Sequence, residues 1–247
     1  MSRKTFQQYG RLADSELSHT VKSGRYRIQA DKEPYLIKDI INKLELDPSD
    51  RLLEIGCGTG NLLIPLSFMV SKGTGIDHPD VVAGLSKRFN DPKLRLIGID
   101  FLDYCPERIE NYEKILINSV LPALSDKLEA FRFIDKAASL LAPGGRMLLG
   151  DIANLDKKRR FTDTNFGKNF DEEWNDRVAS LDGRVEEDKA SQILDQDDTI
   201  LVPNDEFILE LLARFRRPGW EAYCLPQHVN LPFGHTREDV LVTRLPE

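Results

Sequence analysis

The residues with the clearest chemical potential are 52–60, where the chain reads Leu-Leu-Glu-Ile-Gly-Cys-Gly-Thr-Gly. The apolar start predicts a short buried strand, and the alternating glycines predict a tight turn after Ile55. Glycine permits positive φ and lets a ligand approach the backbone, because no Cβ stands in the way. A helix predicted after the turn offers unpaired N–H groups and the positive end of its dipole. The segment therefore indicates a ligand site at a strand–turn–helix junction.

Polar residues also lie at the ends of the next three predicted strands. Asp77 ends the second strand, Asp100 and Phe101 follow the third, and Asn118 follows the fourth. A carboxylate at such a strand end can accept both hydroxyl groups of a ribose. Structural roles remain open, since Asp77 can cap the next helix and Asp100 can be a solvated strand end.

Strands and helices alternate between residues 31 and 155, and these elements must position the polar side chains. The strands are continuous apolar runs, which is typical of a parallel sheet covered by helices on both faces. A helix at 204–215 precedes strands at 220–225 and 239–244, whose connection is too short for a crossover helix, so these two strands should be antiparallel. We therefore predict an α/β fold with a mostly parallel, seven-stranded sheet and an antiparallel last strand. The parallel strands are predicted at 51–55, 74–77, 94–99, 114–117 and 146–152.

The pattern Glu-x-Gly-x-Gly-x-Gly at the end of a first strand resembles motif I of the class I S-adenosylmethionine (SAM)-dependent methyltransferases. It differs from the dinucleotide fingerprint, which lacks the leading acidic residue and displaces the third glycine by one position. The resemblance covers about residues 31–155 and 203–245. It implies a Rossmann-like sheet, SAM as the cofactor and S-adenosylhomocysteine as its product.

The resemblance also implies which residues hold the cofactor. Asp77 would bind the ribose hydroxyls, Asp100 the adenine amino group beside Phe101, and Asn118 would line the methionine end. His78, next to the ribose ligand, would form a wall of the pocket. The implied cofactor-binding residues are Glu54, Gly56, Cys57, Gly58, Gly60, Asp77, His78, Asp100, Phe101 and Asn118.

Two segments lie outside the resemblance. Residues 1–30 form an N-terminal arm, and residues 31–247 form the methyltransferase domain, with an insertion at about 156–200. The insertion is polar and charged, and we predict a partly helical lid after strand five. Its basic run, 157–160, either holds an anionic acceptor or is a solvated surface, and its aromatic residues either line an acceptor pocket or fasten the lid. In the arm, Arg25 and Arg27 either bind the cofactor carboxylate or are solvated charges.

Candidate catalytic residues follow from the topology, because ligands of open α/β sheets bind beyond the carboxyl ends of the parallel strands. His228 follows strand six, His235 precedes the antiparallel strand seven, and Asp151 ends strand five. Methyl transfer needs alignment, and a hydroxyl acceptor also needs a base. We therefore predict His228, then His235, and Asp151 as candidate bases. Each can equally be a loop or turn residue.

Composition restricts the partners. The formal net charge is −7 and the sequence pI is about 5.3, which disfavours a phosphate backbone, so no nucleic-acid partner is expected. No apolar run approaches the roughly 20 residues of a bilayer span, and no signal peptide is recognised. The cysteines and histidines show no metal-ligand spacing, so no metal is expected. We expect a cytoplasmic enzyme with a small-molecule acceptor, and the oligomeric state stays open.

The predicted activity is methyl transfer to a small molecule, such as a sugar or secondary-metabolite hydroxyl. A nicotinamide-dependent oxidoreductase on the same fold would require the other glycine spacing and a Tyr/Lys pair, which the sequence lacks. A catalytically silent SAM-binding regulatory subunit remains an alternative. So does an RNA or protein methyltransferase, which would lack the deep lid inferred from the insertion.

Overall fold

The computed structural model describes residues 3–106, 111–179, 185–194 and 201–246. Within these ranges a seven-stranded sheet has the order β3-β2-β1-β4-β5-β7-β6. All neighbouring pairs from β3 to β5 are parallel, whereas β7 is antiparallel to both β5 and β6. The predicted α/β, Rossmann-like sheet with an antiparallel last strand is therefore confirmed. The strands are β1 Arg51–Ile55, β2 Lys72–Asp77, β3 Leu94–Gly98, β4 Tyr112–Asn118, β5 Leu141–Ala153, β6 Trp220–Pro226 and β7 Arg237–Arg244.

Helices cover both faces of the sheet, as the continuous apolar strands predict. In β5, Met147 and Leu149 pack into one core cluster and Leu148 packs into another, and all three are fully buried. The sheet is therefore buried on both sides, which is typical of parallel sheets. The helices of the described residues are α1 Arg3–Asp14, α2 His19–Lys22, α3 Glu33–Leu44, α4 Leu63–Ser67, α5 Pro79–Arg88, α6 Lys127–Ser139, α7 Leu155–Thr162, α8 Asn165–Ala179, α9 Val185–Leu194 and α10 Asp205–Phe215, with short 3₁₀ helices at Arg27–Lys32 and Leu121–Ala123.

The fifth strand begins earlier than its predicted start at residue 146. Leu141 is fully buried and already pairs with Tyr112, and the register then shifts before Lys114 pairs with Arg146. The intervening Pro-Gly-Gly segment, in which Gly144 has φ of 77°, therefore forms an irregularity within β5. Pairing with a distant strand sets this boundary, which is why local sequence signals placed it wrongly.

The N-terminal arm and the insertion are helical and pack against each other. Helix α1 contacts α5 and α9, and α2 also contacts α9. Leu12, Leu17, Val21 and Ala190 form a small apolar cluster between them. Glu186 reinforces this contact, because its Oε2 accepts a hydrogen bond from the Ser18 backbone at 2.8 Å. Residues 180–184 and 195–200 of the predicted insertion lie outside the described residues.

Helix α10 begins with an N-cap residue, Asn204, as its sequence predicts. The Asn204 side chain accepts a hydrogen bond from the Phe207 backbone at 2.9 Å, as expected of an N-cap. We expect Asn204→Ala to lower the free energy of unfolding by about 1 kcal/mol, measured by urea denaturation. Asn175→Ala, at an exposed position within α8, is the matched control and should change stability little. Equal losses in both variants would contradict the capping role.

No helix in the described parts of the chain is long and apolar enough to cross a bilayer.

Candidate functional site

A cavity of about 360 Å³ opens at the carboxyl ends of the parallel strands. Strand β2 lies on one side of β1 and β4 on the other, so the chain reverses its strand order there, and such switch points bind ligands in open α/β sheets. Side chains of α1, the segment 22–25 and Leu194 of α9 cover the cavity. The volume lies within the range of small-molecule sites. Of the predicted cofactor residues, Glu54, Gly56, Cys57, Gly58, Asp77 and Asn118 line it.

The glycine turn after β1 has the geometry that its sequence predicts. Gly56, Gly58 and Gly60 have φ of 78°, 52° and 80°. A Cβ at Gly56 would lie 2.5 Å from Val120, and one at Gly60 would lie 2.7 Å from Leu85, so both positions exclude larger residues. A Cβ at Gly58 would meet nothing within 4 Å. Gly58 therefore leaves space at the cavity wall for a ligand to approach the backbone.

Asp77 fastens this turn to the end of β2. The Gly58 backbone donates to its Oδ2 at 2.7 Å, and the His78 backbone donates to its Oδ1 at 2.6 Å. Burial raises the pKa of Asp77, and the two backbone donors oppose the rise. The carboxylate is thus held in one orientation at the cavity wall, as a ribose ligand requires.

Three residues that line the cavity each have a buried acceptor with no hydrogen-bond donor among the described residues. These acceptors are Oε2 of Glu54, Oδ1 of Asn118 and Oδ1 of Asp151. Buried polar atoms are normally hydrogen-bonded, so the cavity fits a ligand that brings donors or positive charge. SAM carries both an ammonium and a sulfonium group. The residues present therefore fit this cofactor.

The buried carboxyl of Glu54 predicts how the stability of the protein depends on pH. Burial, followed by the charge of Asp77, raises the pKa of Glu54 well above its usual range, while Arg25 opposes the rise. The folded chain therefore binds this proton more tightly than the unfolded chain does. The bound proton stabilises the fold fully below about pH 4.3, and this stabilisation is lost as pH rises through the raised pKa of Glu54. We expect Glu54→Gln to remove this loss, so its melting temperature should fall less than that of the parent between about pH 5 and about pH 8. Glu221→Gln, at an exposed position, is the control; an unchanged pH dependence in Glu54→Gln would refute the assignment.

Asp151 also lines the cavity, in an unusual backbone conformation. Its φ is 60°, and its backbone N–H donates to Oδ1 of Asp239 at 2.8 Å. The Ser119 hydroxyl donates to its Oδ2, and Nε of Arg237 lies 3.6 Å from its Oδ1. Burial raises the pKa of Asp151, although Arg237 and Arg25 oppose the rise. Positive φ is uncommon for residues other than glycine, although aspartate adopts it more readily than most.

Four predicted cofactor residues are not among the described residues that line the cavity. The His78 ring lies under α1, 4.6 Å from the Phe6 ring, and its Nδ1 accepts from the Asp80 backbone as the cap of α5. Asp100 accepts a hydrogen bond from the Leu102 backbone, which is turn chemistry. The remaining two are Phe101 and Gly60. Phe101 packs on the core residue Phe133, with ring centroids 4.8 Å apart, and Gly60 lies against the side chains of Leu85 and Ile64.

The two candidate histidines also lie apart from the described cavity wall. His228 is exposed, and its Nδ1 accepts from the Asn230 backbone. The His235 ring stacks on Phe161 of the insertion at 4.6 Å, and burial, followed by the charge of Lys157, lowers its pKa. Of the three predicted bases, the structure therefore brings only Asp151 to the cavity, as far as the described residues show.

Sequence reasoning did not select Arg237 and Phe233, which line the cavity together with Arg25. Arg237 begins the antiparallel strand β7, so it lies at the same end of the sheet as the cofactor motif. The rule that ligands bind beyond the carboxyl ends of the parallel strands predicted the nearby His235. It gave no reason to choose Arg237 instead. Arg27, by contrast, pairs with Glu187 of α9 at 3.7 Å.

Comparisons with known proteins extend this picture. The chain matches the protein family described as a methyltransferase domain over residues 26–192. A dimethyladenosine transferase of Kluyveromyces lactis is 34% identical over 76 residues, which cover 29% of this chain and 24% of that protein. A malonyl-[acyl-carrier protein] O-methyltransferase of Haemophilus ducreyi is 24% identical over 169 residues, or 64% of this chain and 62% of that protein. The matches thus span less than two thirds of the length of these curated relatives.

Among solved structures, the N-methyltransferase NodS from Bradyrhizobium japonicum, in complex with S-adenosylhomocysteine, superposes with a TM-score of 0.60. It is 18% identical, and the match covers 99% of this chain and 100% of that one. This likeness concerns the fold, whereas the family match spans well over half of the chain. The chain therefore belongs to the methyltransferase domain family and has the Rossmann-like fold of the class I SAM-dependent methyltransferases.

Proposed function

We propose that this chain is a SAM-dependent methyltransferase that methylates a hydroxyl group of a small molecule, such as a sugar or a secondary metabolite. The observation that carries the proposal is the cavity at the switch point, where the Gly58 backbone donates to Asp77 and buried acceptors have no donor among the described residues. Asp77 would hold the ribose hydroxyls of the cofactor. Glu54 and Asn118 would accept from its ammonium group, and Arg25 would pair with its carboxylate.

The chemistry would then need few protein groups. Bound SAM would supply the methyl group: its S–C bond would break as the acceptor O–C bond formed, and the electron pair would stay on sulfur. Asp151 lies in the same cavity and would take the proton of the acceptor hydroxyl. A carboxyl whose pKa is raised by burial is a better base at neutral pH than an ordinary aspartate.

The cover of the cavity supports a small acceptor. Tyr9 and Leu12 of α1 and Leu194 of α9 line it from above, and these helices are joined through their apolar cluster. An RNA or protein acceptor would need an open cleft instead. The two helices therefore favour a small molecule that enters between the arm and the insertion.

Turnover on an acceptor panel tests the proposal. Release of S-adenosylhomocysteine would be measured with small alcohols and sugars, with small amines, and with RNA and protein mixtures. We expect methylation of a hydroxyl in the first group. Turnover confined to RNA or protein would overturn the substrate class, and tight S-adenosylhomocysteine binding without any turnover would favour a regulatory subunit.

A further inference from the structure

Arg237 occupies the part of the cavity next to Asp151. Its Nε lies 3.6 Å from Oδ1 of Asp151, beyond hydrogen-bond distance. Its guanidinium group lies over the Phe233 ring, 5.0 Å from the ring centroid. The rings of Tyr26 and Trp174 each lie 6.3 Å from that of Phe233, so the arm and the insertion both support this ring. The guanidinium is therefore placed by a packed aromatic group rather than left in solvent.

The Nε of Arg237 is buried and has no hydrogen-bond partner among the described residues. Arginine stays charged at all physiological pH values, and its planar donors match carboxylate and phosphate groups. Asp151 offsets the charge of Arg237 across 3.6 Å but lies too far away to accept a hydrogen bond from Nε. The position therefore fits an anionic ligand that reaches Arg237 from the cavity and accepts from its guanidinium group.

The charges around the cavity point the same way. Among the described residues that line it, Lys22, Arg25 and Arg237 are basic, whereas Glu54, Asp77 and Asp151 are acidic. Burial raises the pKa of all three carboxyls, so these described residues carry no net negative charge. SAM adds one net positive charge, since it has one carboxylate, one ammonium and one sulfonium group, and an acceptor with a negative group would offset it.

The two arginines serve different ends of the cavity. Arg25 acts on Glu54, at the glycine turn, and donates to the Ser23 hydroxyl at 2.9 Å. Nε of Arg237 lies 3.6 Å from Oδ1 of Asp151, and Arg237 opposes the rise in the pKa of Asp151 more than Arg25 does. Arg237 is therefore the arginine beside the candidate base, where the acceptor would bind.

We propose that Arg237 anchors a carboxylate or phosphate group of the acceptor and so turns the hydroxyl to be methylated toward Asp151. This inference rests on the proposed function. It narrows the substrate class to small hydroxyl compounds that carry an acidic group, with an apolar portion against Phe233.

The test uses the full chain and three probes of one shape: benzoate, phenyl phosphate and neutral benzamide. Each is titrated by calorimetry into the complex with S-adenosylhomocysteine, for the parent, for Arg237→Gln and for Arg214→Gln. The last variant is a matched control, because Arg214 pairs with Asp135 on the surface. We expect at least one anion to bind the parent and Arg214→Gln, and Arg237→Gln to weaken it by about 10-fold or more. The affinity for S-adenosylhomocysteine should differ by less than about 3-fold among the three proteins, because neither substitution removes a proposed contact with the cofactor. Loss of such a contact would weaken binding by about 10-fold or more.

The preferred anion distinguishes a carboxylate acceptor from a phosphate acceptor. Benzamide binding as tight as that of the anions, equal anion affinity in Arg237→Gln, or no anion binding to the complex would overturn the inference. Failure of S-adenosylhomocysteine to bind would instead overturn the proposed function, which separates the two results.

Discussion

Asp77→Ala is expected to weaken S-adenosylhomocysteine binding by at least about 100-fold, because a buried carboxylate that accepts two ribose hydroxyls contributes about 1.5–3 kcal/mol for each hydrogen bond. The substitution also removes the acceptor for the Gly58 and His78 backbone N–H groups, so the glycine turn loses its attachment to β2. Calorimetry with purified parent and variant measures the change directly.

Two controls isolate the binding role of Asp77. Asp80→Ala changes a neighbouring carboxylate that is 56% exposed, and it should bind S-adenosylhomocysteine like the parent. The melting temperature of Asp77→Ala without ligand should fall, because the Gly58 and His78 backbone N–H groups lose their acceptor, so affinity is compared at a temperature at which the variant is still folded. Unchanged affinity in a folded Asp77→Ala protein would remove Asp77 from the cofactor site.

Asp151→Asn is expected to lower kcat by about 100- to 10,000-fold with any hydroxyl acceptor that the panel identifies, since this is the usual contribution of a general base. Asparagine tolerates the positive φ at this position and keeps an oxygen that can accept from Ser119. The backbone and the affinity for S-adenosylhomocysteine should therefore change little. Asp163→Asn, at the exposed end of α7, is the matched control.

The pH profile adds a second readout for Asp151. Only the ionised carboxylate can take a proton, so kcat should rise with pH through the pKa of Asp151 and level off above it. Burial raises that pKa, so the rise should occur at higher pH than for an ordinary aspartate, near 3.9. Asp151→Asn should lack this limb. An identical pH profile in parent and variant, or full activity in the variant, would show that another group acts as the base.

The sequence predicted the parts of this site that depend on local structure. The glycine turn between β1 and α4 follows from the residues within it, and Asp77 lies at the cavity because it ends a strand whose direction the βαβ rhythm defines. Asn118 and Asp151 follow the same rule at the ends of β4 and near the end of β5. Strand ends can be read from short apolar runs, so these positions required no knowledge of distant contacts.

The remaining parts depend on contacts between segments far apart in the chain. His235 lies at the predicted end of the sheet, yet Phe161 of the insertion, far away in the chain, stacks on its ring. The cover of the cavity likewise depends on a contact between Ser18 and Glu186, which are 168 residues apart. No local sequence pattern encodes such packing. The sequence therefore predicted which loops lie at the cavity end of the sheet, but not which of their side chains face the cavity.

Calorimetric titration of the parent protein with S-adenosylhomocysteine, with NAD as the control ligand, shows whether this cavity is a SAM site. We expect one S-adenosylhomocysteine to bind per chain and NAD not to bind, because the glycine spacing and the acceptors of the cavity fit S-adenosylhomocysteine. No heat with S-adenosylhomocysteine at concentrations well above the micromolar range, or binding of NAD instead, would contradict the assignment of this cavity as a SAM site.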